Sequence, residues 1–443
     1  MLEFIRISPT CFHAVANIGR MLEAAGFQQL QEKEEWKLEK GGRYYTERND
    51  SSVIAFAIPE KEVGIRGFHM AAAHSDSPCF KIKEKPELTV EEHYLRLNTE
   101  KYGGMILSTW LDRPLSIAGR LAVKNGNGIE GRLVNIDRDL CVIPNVAIHM
   151  NREMNKGVEY NPQVDLLPLL ADVSFDEYDT HTTYDAQNAS ENAEEQPETV
   201  EKPTLAALAA EAAGVDAETI LGEDLFLYTR QEGKMIGAKG EFVLSPRLDD
   251  LQSAFALTKA FTESTPAEYI NLCAVFDNEE VGSGTRQGAD STFLEDTLQR
   301  ITEGLQEGHS TYLRWVADSF LISADNAHAV HPNHPEKADP ANRPYLNGGI
   351  VIKYHGSQKY TTDGISAAKM KDYCERAKVP YQTYANRSDI AGGSTLGNIS
   401  TAHVSVSSVD IGLPQLAMHS AVETAGMKDT EYAVRALKEF WGE

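Results

Sequence analysis

Strand-like and helix-like segments alternate along the second half of this 443-residue chain, and this alternation restricts its fold more than any other feature. From residue 241 onward, short apolar runs typical of buried strands are separated by segments with helical periodicity. The clearest strands are predicted at 270–276, 320–324 and 404–411, and the clearest helices at 249–263, 366–377 and 429–440. We therefore predict an α/β fold with a mostly parallel, mixed sheet covered by helices on both faces.

The beginning of the chain continues this pattern, with a helix predicted at 12–25 and strands at 52–58 and 67–73. From about residue 85 to 234, short strands alternate with turn signals instead, which indicates a small β-rich unit. The expected organisation is one α/β domain built from 1–84 and 235–443, with an inserted β-rich domain at 85–234 between its two parts.

One stretch of the inserted region has a distinct composition. Residues 172–201 are rich in Asp, Glu, Asn and Thr and contain no Lys or Arg. Such a stretch has too little apolar surface to form a core, so we expect a flexible acidic loop.

The net charge and the cysteines limit which partners and which cellular compartment we expect for this chain. The chain has 42 basic and 66 acidic residues, a formal net charge of −24, which argues against partners such as nucleic acid or an anionic membrane. Its five scattered cysteines form no CxxC motif and fit a reducing compartment. Neither a signal peptide nor a membrane-spanning run is visible, so we expect a cytoplasmic protein.

Two predicted strands end in groups that suit metal chemistry. The strand at 67–73 is followed by His74-Ser75-Asp76. Residues i and i+2 of an extended segment share a face, so the carboxylate of Asp76 can reach the imidazole of His74 and set its tautomer. A lone histidine is more often structural, but with this spacing the structural and the functional interpretation are about equally frequent.

The strand at 270–276 is followed by the adjacent carboxylates Glu279 and Glu280. Neighbouring side chains on an extended backbone point in different directions, so one carboxylate can hold a ligand while the other faces a substrate. Taken alone, the stretch is more often a solvated acidic loop.

Further carboxylates and imidazoles stand at or near other strand and helix ends, namely Asp249, Asp325 and His419. Ligands of open α/β sheets bind at the carboxyl ends of the strands. Two histidines and three carboxylates can provide two metal ions with three protein ligands each if one Asp bridges, and this donor set suits zinc. One glutamate would remain for proton transfer, so the residues predict a dinuclear metal hydrolase.

Five segments resemble the motifs of the aspartyl aminopeptidase family, and they occur in the family's order: residues 74–78, 245–250, 276–283, 323–332 and 415–420. The similarity extends from Ser8-Pro9 to Ser420 and fails only in the acidic stretch at 172–201. The chain is therefore identified as a member of this family.

This resemblance implies a specific role for each of the candidate residues. Asp249 is expected to bridge two zinc ions per subunit, with Mn²⁺ or Co²⁺ as substitutes. The remaining implied metal ligands are His74 and Asp325 at one ion, and Glu280 and His419 at the other. Glu279 is implied as the general base, and Asp76 as the residue that orients His74.

The resemblance also implies a substrate and an assembly. The family prefers peptides with N-terminal Asp or Glu, for which Lys353 is the matching cation, accompanied by Tyr360 and His328. Without the family, Lys353 would be interpreted as a solvated lysine at a strand end. His149 resembles a histidine that reaches a neighbouring subunit's site, and the family forms a tetrahedral dodecamer, so a homo-oligomer built by the inserted domain is expected.

Two further points remain open at this stage. Asp250 stands where many family members carry Asn, and related peptidases have a cis peptide here, so a cis Asp249–Asp250 bond is hypothesised. The alternative functions are an aminopeptidase of broad or neutral specificity, a dinuclear carboxypeptidase or deacylase, and a non-catalytic assembly protein with structural metals. The intact Glu279 argues against the last, because a structural site needs no free base.

Overall fold

The computed structural model describes residues 1–60, 64–126, 128–173, 204–393 and 395–443. The chain forms two compact units. The first contains Met1–Cys79, Tyr102–Thr109 and Gln231–Glu443, and the second contains Phe80–Lys101 and Trp110–Arg230. Apart from its first two residues, the acidic loop predicted at 172–201 lies outside the described residues.

The α-helices of the described residues are α1 (Leu2–Arg6), α2 (Cys11–Ala24), α3 (Leu205–Ala213), α4 (Leu248–Thr262), α5 (Phe293–Gly304), α6 (His309–Ala317), α7 (Gly364–Arg376), α8 (Leu396–His403) and α9 (Asp429–Trp441). The strands are β1 (Gln28–Gln29), β2 (Arg43–Arg48), β3 (Ser52–Ala57), β4 (Phe68–His74), β5 (Cys79–Val90), β6 (Tyr94–Tyr102), β7 (Leu115–Asn125), β8 (Gly128–Asn135), β9 (Leu169–Asp172), β10 (Ile220–Thr229), β11 (Lys234–Ile236), β12 (Phe242–Ser245), β13 (Ile270–Phe276), β14 (Phe320–Ala324), β15 (Ala327–His328), β16 (Ile350–Tyr354), β17 (Tyr381–Ala385), β18 (Ser407–Gly412), β19 (Pro414–Leu416) and β20 (Glu423–Gly426). Among these helices, none combines the length and the apolar character that a membrane crossing requires.

A nine-stranded sheet forms the centre of the first unit, in the order β1-β2-β3-β13-β4-β14-β18-β16-β17. The four central strands, β13, β4, β14 and β18, run parallel to one another. They are flanked by β3 and β16, which pair antiparallel with β13 and β18. The predicted α/β class is confirmed, and the carboxyl ends of the four central strands lie at one edge of the sheet.

Both faces of this sheet are buried under helices. Along β4, Ala71 and Ala73 face one core, which is completed by α2, α4, α7 and α9. The alternate residues Phe68, Met70 and Ala72 face a second core, which contains α5, α6 and α8. Because neither face meets water, β4 and β13 are apolar at nearly every position instead of alternating.

A five-stranded sheet in the same unit has the order β11-β12-β20-β19-β15. Its loop between β19 and β20 carries His419, whose φ is +66°, and Ala417, whose φ is +56°. Residues other than glycine rarely adopt this left-handed region, so neighbouring contacts must hold the loop in place.

The second unit is built on a six-stranded sheet in the order β8-β7-β10-β5-β6-β9. Within this sheet, β7 pairs antiparallel with both β8 and β10. The Ala-rich segment Leu205–Ala213 forms the helix α3.

Two predicted elements differ from those observed. The strand predicted at 404–411 starts later, because Val404 closes α8 by donating its N–H to the carbonyl of Ser400 at 3.0 Å, and β18 begins only at Ser407. The helix predicted at 249–263 is present as α4, but Asp249 and Asp250 have non-helical dihedral angles. The hypothesised cis bond between these two residues is present.

Candidate active site

The carboxyl ends of three adjacent strands bring candidate residues together. His74 is the last residue of β4. Glu279 and Glu280 lie in a 3₁₀ turn that follows β13, and Asp325 directly follows β14. Because β13, β4 and β14 are neighbours and run parallel, the side chains that follow them meet at one edge of the sheet.

The imidazole of His74 is held between carboxylates. Its Nδ1 lies 3.1 Å from the backbone oxygen of Asp76 and 3.3 Å from Oδ1 of the same residue. Its Nε2 lies 3.6 Å from Oδ1 of Asp249 and 4.0 Å from Oδ1 of Asp325. The oxygens around Nδ1 accept its hydrogen, so Nε2, which faces the two carboxylates, is the nitrogen available to a cation.

His419 occupies an equivalent position on the other side of Asp249. Its Nε2 lies 3.4 Å from Oδ2 of Asp249 and 3.4 Å from Oε2 of Glu280. Its Nδ1 lies 2.9 Å from the carbonyl oxygen of Gly104 and donates to it. Asp249 therefore presents one carboxylate oxygen to each of two histidines, the arrangement that a bridging ligand requires.

Several carboxylate oxygens at this edge have no hydrogen-bond donor in the part of the chain that the structure describes. They are Oδ1 of Asp249, Oδ1 of Asp250 and Oε1 of Glu280, all buried. Buried acceptors without donors, and like charges in close proximity, cost free energy unless a cation compensates them. The orphaned oxygens therefore fit a site that takes up positive charge.

Two groups of described side chains share Asp249 and offer ligand atoms within 4.8 Å of one another that could hold a metal ion. The first group consists of His74, Asp249, Asp250 and Asp325, and the second of Asp249, Glu280 and His419. A third such group, His74, Glu279 and Glu280, overlaps with both. Imidazole nitrogen together with carboxylate oxygen is a donor set that suits zinc.

The acidity of these groups reflects the same crowding of charge. Burial and the neighbouring Asp249 raise the pKa of Glu280 well above its ordinary value. Burial raises the pKa of Asp325 to about 6, although Lys353 opposes the change. Burial alone would lower the pKa of His419, but Asp249 and Glu280 raise it to about 10. Protons held in this way would be released when a cation binds.

Besides contacting His74, Asp76 accepts hydrogen bonds from the segment that carries Glu279 and Glu280. Its Oδ1 accepts the backbone N–H of Glu279 at 3.2 Å, and its Oδ2 accepts that of Glu280 at 3.1 Å. Tyr102 donates its hydroxyl hydrogen to the same Oδ2 at 2.8 Å. The carboxylate of Asp76 therefore fixes the backbone from which both glutamates project.

Tyr102 and its partner Asn278, whose amide donates to the Tyr102 hydroxyl at 2.8 Å, were not predicted. Tyr102 lies within the stretch predicted as an inserted domain, yet residues 102–109 pack with the first unit. The Gly103-Gly104 turn was the only local signal there, and a turn does not reveal its spatial neighbours.

A cavity of about 300 Å³ opens onto the metal-ligand groups. Its lining includes His74, Asp249, Glu279, Asp325, His328, Lys353, Tyr360, Tyr384 and His419. Burial raises the pKa of Glu279, one of these residues, to about 7.

Lys353 is a buried cation in this cavity. Its Nζ lies 3.5 Å from Oδ2 of Asp325 and 5.4 Å from the centroid of the Tyr360 ring. Burial alone would lower the pKa of Lys353, but Asp325, Tyr360, Asp410 and Asp249 together more than offset this effect and raise it, so the side chain stays an ammonium.

Tyr384 is a further residue that lines the cavity. Tyr384, on β17, lies with its ring centroid 6.2 Å from that of His328 and donates its hydroxyl to Asn386 at 2.5 Å. It was missed because β17 was not predicted. His149 lies in an exposed turn of the second unit.

The fold and the donor set define a metal-dependent hydrolase of α/β type. The sequence profile of the family described as "Aminopeptidase I zinc metalloprotease (M18)" matches residues 4–441. The chain therefore belongs to the M18 family of zinc metalloproteases, which confirms the family resemblance at this level.

Individual relatives agree with this assignment. The chain is 46% identical over its whole length to a "Probable M18 family aminopeptidase 2" of Clostridium novyi, covering 97% of that protein. A protein of the same description from Pseudomonas syringae pv. tomato is 38% identical, with 100% of this chain and 97% of the relative covered.

Solved structures show the same fold. Ape4 in its complex with Nbr1 superposes with a TM-score of 0.90 and 37% identity, covering 100% of this chain and 84% of that one. The S. cerevisiae mApe1 dodecamer has a TM-score of 0.81 and 25% identity, with coverages of 99% and 94%.

Proposed function

We propose that this protein is a dinuclear zinc aminopeptidase that removes N-terminal residues, preferably Asp or Glu, from peptides. The observation that carries the proposal is that the ammonium of Lys353 lines the same cavity as the imidazole and carboxylate groups. A cation beside the reacting centre can pair with an acidic first side chain while the metal ligands act on the adjacent peptide bond.

Two zinc ions would be held by the two groups of ligands. His74 and Asp325 would hold one ion, Glu280 and His419 would hold the other, and Asp249 would be shared between them. The support is the position of Asp249, with one oxygen directed at each histidine. Zinc supplies Lewis-acid chemistry, since it polarises a carbonyl group and lowers the pKa of water, and Mn²⁺ or Co²⁺ would substitute for it.

Glu279 would act as the general base. Its carboxylate faces the cavity, while Asp76 holds its backbone N–H. A carboxylate with a raised pKa takes a proton from the attacking water and passes it to the amine of the departing peptide. Asp76 orients His74 and the segment that carries Glu279.

Lys353 would select the acidic side chain. A lysine ammonium has three donor hydrogens, and Asp325 occupies one direction only, so the others can serve a substrate carboxylate. Tyr360 and His328 would form the adjoining walls of the pocket.

A homo-oligomer is part of the proposal. The described structure of the S. cerevisiae relative is a dodecamer, and we propose a tetrahedral dodecamer for this chain as well. The inserted β-rich domain would form its contacts, and His149 would reach the active site of a neighbouring subunit.

A broad or neutral specificity is the second candidate. The observation that favours it is the ion pair of Lys353 with Asp325, which offsets part of the charge available to a substrate.

The test is hydrolysis of Glu-, Asp-, Leu- and Lys-p-nitroanilides by zinc-loaded protein and by Lys353→Met, which keeps the alkyl volume. We expect the acidic substrates to be fastest, and kcat/KM for Glu to fall by about 10- to 100-fold in the variant, because a hydrogen bond to a charged group contributes about 1.5–3 kcal/mol. The value for Leu should hardly change.

Two controls accompany this test. The zinc content of Lys353→Met is measured, because Lys353 touches Asp325. Lys369→Met removes an exposed lysine charge on α7 and should leave the specificity unchanged. A wild-type protein that cleaves Leu fastest would contradict the acidic preference and support the neutral candidate.

A further inference from the structure

One buried carboxylate outside the ligand groups touches two of the proposed ligands at once. Glu423, the first residue of β20, is 2% exposed. Its Oε1 accepts the backbone N–H of His419 at 2.8 Å, and its Oε2 accepts the backbone N–H of Asp249 at 3.0 Å. Gln415 adds a longer contact of 3.4 Å to Oε1.

The two residues held in this way lie on backbone that regular structure does not restrain. His419 is in a loop with φ +66°, and Asp249 has φ −83° and ψ 109° inside α4. Both N–H groups point at Glu423, so its carboxylate joins the loop between β19 and β20 to the first turn of α4. The loop is also held by the N–H of Ile106, which donates to the carbonyl of His419 at 2.9 Å.

We propose that Glu423 is a positioning residue that sets the separation between the bridging carboxylate of Asp249 and the imidazole of His419. This inference rests on the proposed dinuclear function. Glu423 keeps the ligands of one ion in place before that ion binds, so that little backbone rearrangement accompanies metal uptake.

A carboxylate is required at this position because both of its oxygens accept. A glutamine has one accepting oxygen, and its NH₂ group would face the N–H of the other ligand. Glu423→Gln therefore keeps at most one of the two hydrogen bonds and leaves a buried N–H without an acceptor.

The arrangement also predicts which ion is affected. Asp249 belongs to both ligand groups, but His419 belongs only to the group that contains Glu280. Loss of the Glu423 contacts should therefore weaken chiefly the ion bound by Glu280 and His419, and should spare the ion bound by His74 and Asp325.

The experiment is a titration of the metal-free full-length protein with Co²⁺, followed by visible d–d absorption, with bound metal counted after equilibrium dialysis. For the wild type we expect two ions per chain. For Glu423→Gln we expect the affinity of one ion to fall by about 10- to 100-fold, as substitutions beside metal ligands typically cause. The other ion should bind nearly as in the wild type.

A matched control is provided by Asp429, another buried carboxylate of the same unit. It accepts the backbone N–H groups of Asn347 at 2.7 Å and Gly349 at 3.0 Å. Asp429→Asn removes the same kind of bond, and we expect both Co²⁺ affinities to stay at the wild-type values. Glu423→Asp, which keeps the charge but reaches only one N–H group, should give an intermediate loss and replaces Glu423→Gln should that variant fail to fold.

Three results would overturn the inference or its premise. Unchanged affinities in both Glu423 variants would refute the role of Glu423 alone. Equal losses in Asp429→Asn would show that general destabilisation causes the effect, which also refutes it. A wild-type stoichiometry of one ion would contradict the dinuclear proposal itself, and with it the expected difference between the two ions.

Discussion

The hydroxyl of Tyr102 donates a hydrogen bond of 2.8 Å to Oδ2 of Asp76, the carboxylate that holds the backbone of Glu279 and Glu280. The last residue of β6 thus supports, through Asp76, the backbone of the proposed general base and of a proposed metal ligand. Asp76 has four hydrogen-bonding partners in all when its contact with His74 is included.

Tyr102→Phe should lower kcat by about 5- to 30-fold, because removing one donor from a buried carboxylate costs about 1–2 kcal/mol. KM and zinc content should change little, since the ligands themselves remain. Steady-state kinetics and metal analysis provide the measurement. Tyr94→Phe, at the exposed start of the same strand, is the control and should behave like the wild type. Equal kcat values for Tyr102→Phe and the wild type would contradict the prediction.

Glu279→Gln and Glu280→Gln should have different effects although the residues are adjacent. For Glu279→Gln we expect kcat to fall by about 10²- to 10⁴-fold with both ions retained, as for loss of a general base. For Glu280→Gln we expect loss of one ion, because an amide is a weaker ligand than a carboxylate. Metal counting beside kinetics distinguishes them. A Glu279→Gln protein with normal turnover would exclude the proposed mechanism.

Removal of the metals should lower thermal stability. The buried oxygens of Asp249, Asp250 and Glu280 then lose their compensating charge, and ligands that bind only the folded state stabilise it in proportion to their concentration. The Tm after treatment with a chelator should be lower than before and should rise as zinc is returned. A Tm that is independent of zinc would contradict the metal site.

The stability of the first unit should depend on pH through His69, which lies near the start of β4, at the opposite end of this strand from His74. Its ring stacks on Tyr269 with 3.7 Å between centroids, and its Nδ1 lies 3.2 Å from the carbonyl oxygen of Phe440. Burial lowers the pKa of His69 to about 4, from 6.5 in the unfolded chain. The contribution of neutral His69 to the free energy of unfolding is therefore complete above pH 6.5. It is lost as the pH falls from 6.5 towards 4, because in this window the unfolded state takes up the proton and the folded state does not.

His69→Gln should remove this dependence. Within that window each pH unit corresponds to about 1.4 kcal/mol for one proton, so urea unfolding at pH 6.5 and 5.5 should show a smaller decrease in the variant. The comparison with wild type at each pH cancels the titration of other groups. The same decrease in both proteins would show that His69 does not titrate in this way.

Much of the first unit was accessible from local sequence because its strands are buried on both faces. The strands predicted at 270–276 and 320–324 coincide with β13 and β14. Their mostly apolar runs are typical of strands that are buried on both faces. His74, Glu279 and Asp325 were identified because each is a polar residue at or just after the end of such a run.

The five-stranded sheet could not be predicted. Its strands β15 and β19 have two and three residues, too few to show periodicity, and their partners are distant in sequence. Glu423, on the four-residue strand β20, was missed for this reason.

The amino-acid sequence by itself determined the alternation of strands and helices, the polar groups at strand ends and, through its motifs, the family. These depend on short-range periodicity and on residue identity. Only the tertiary structure decided that Asp249 lies between His74 and His419, that Lys353 pairs with Asp325, and that Glu423 holds two ligands at once. Such contacts join residues as far apart in sequence as His74 and Asp249, and their geometry follows from packing, which no local pattern encodes.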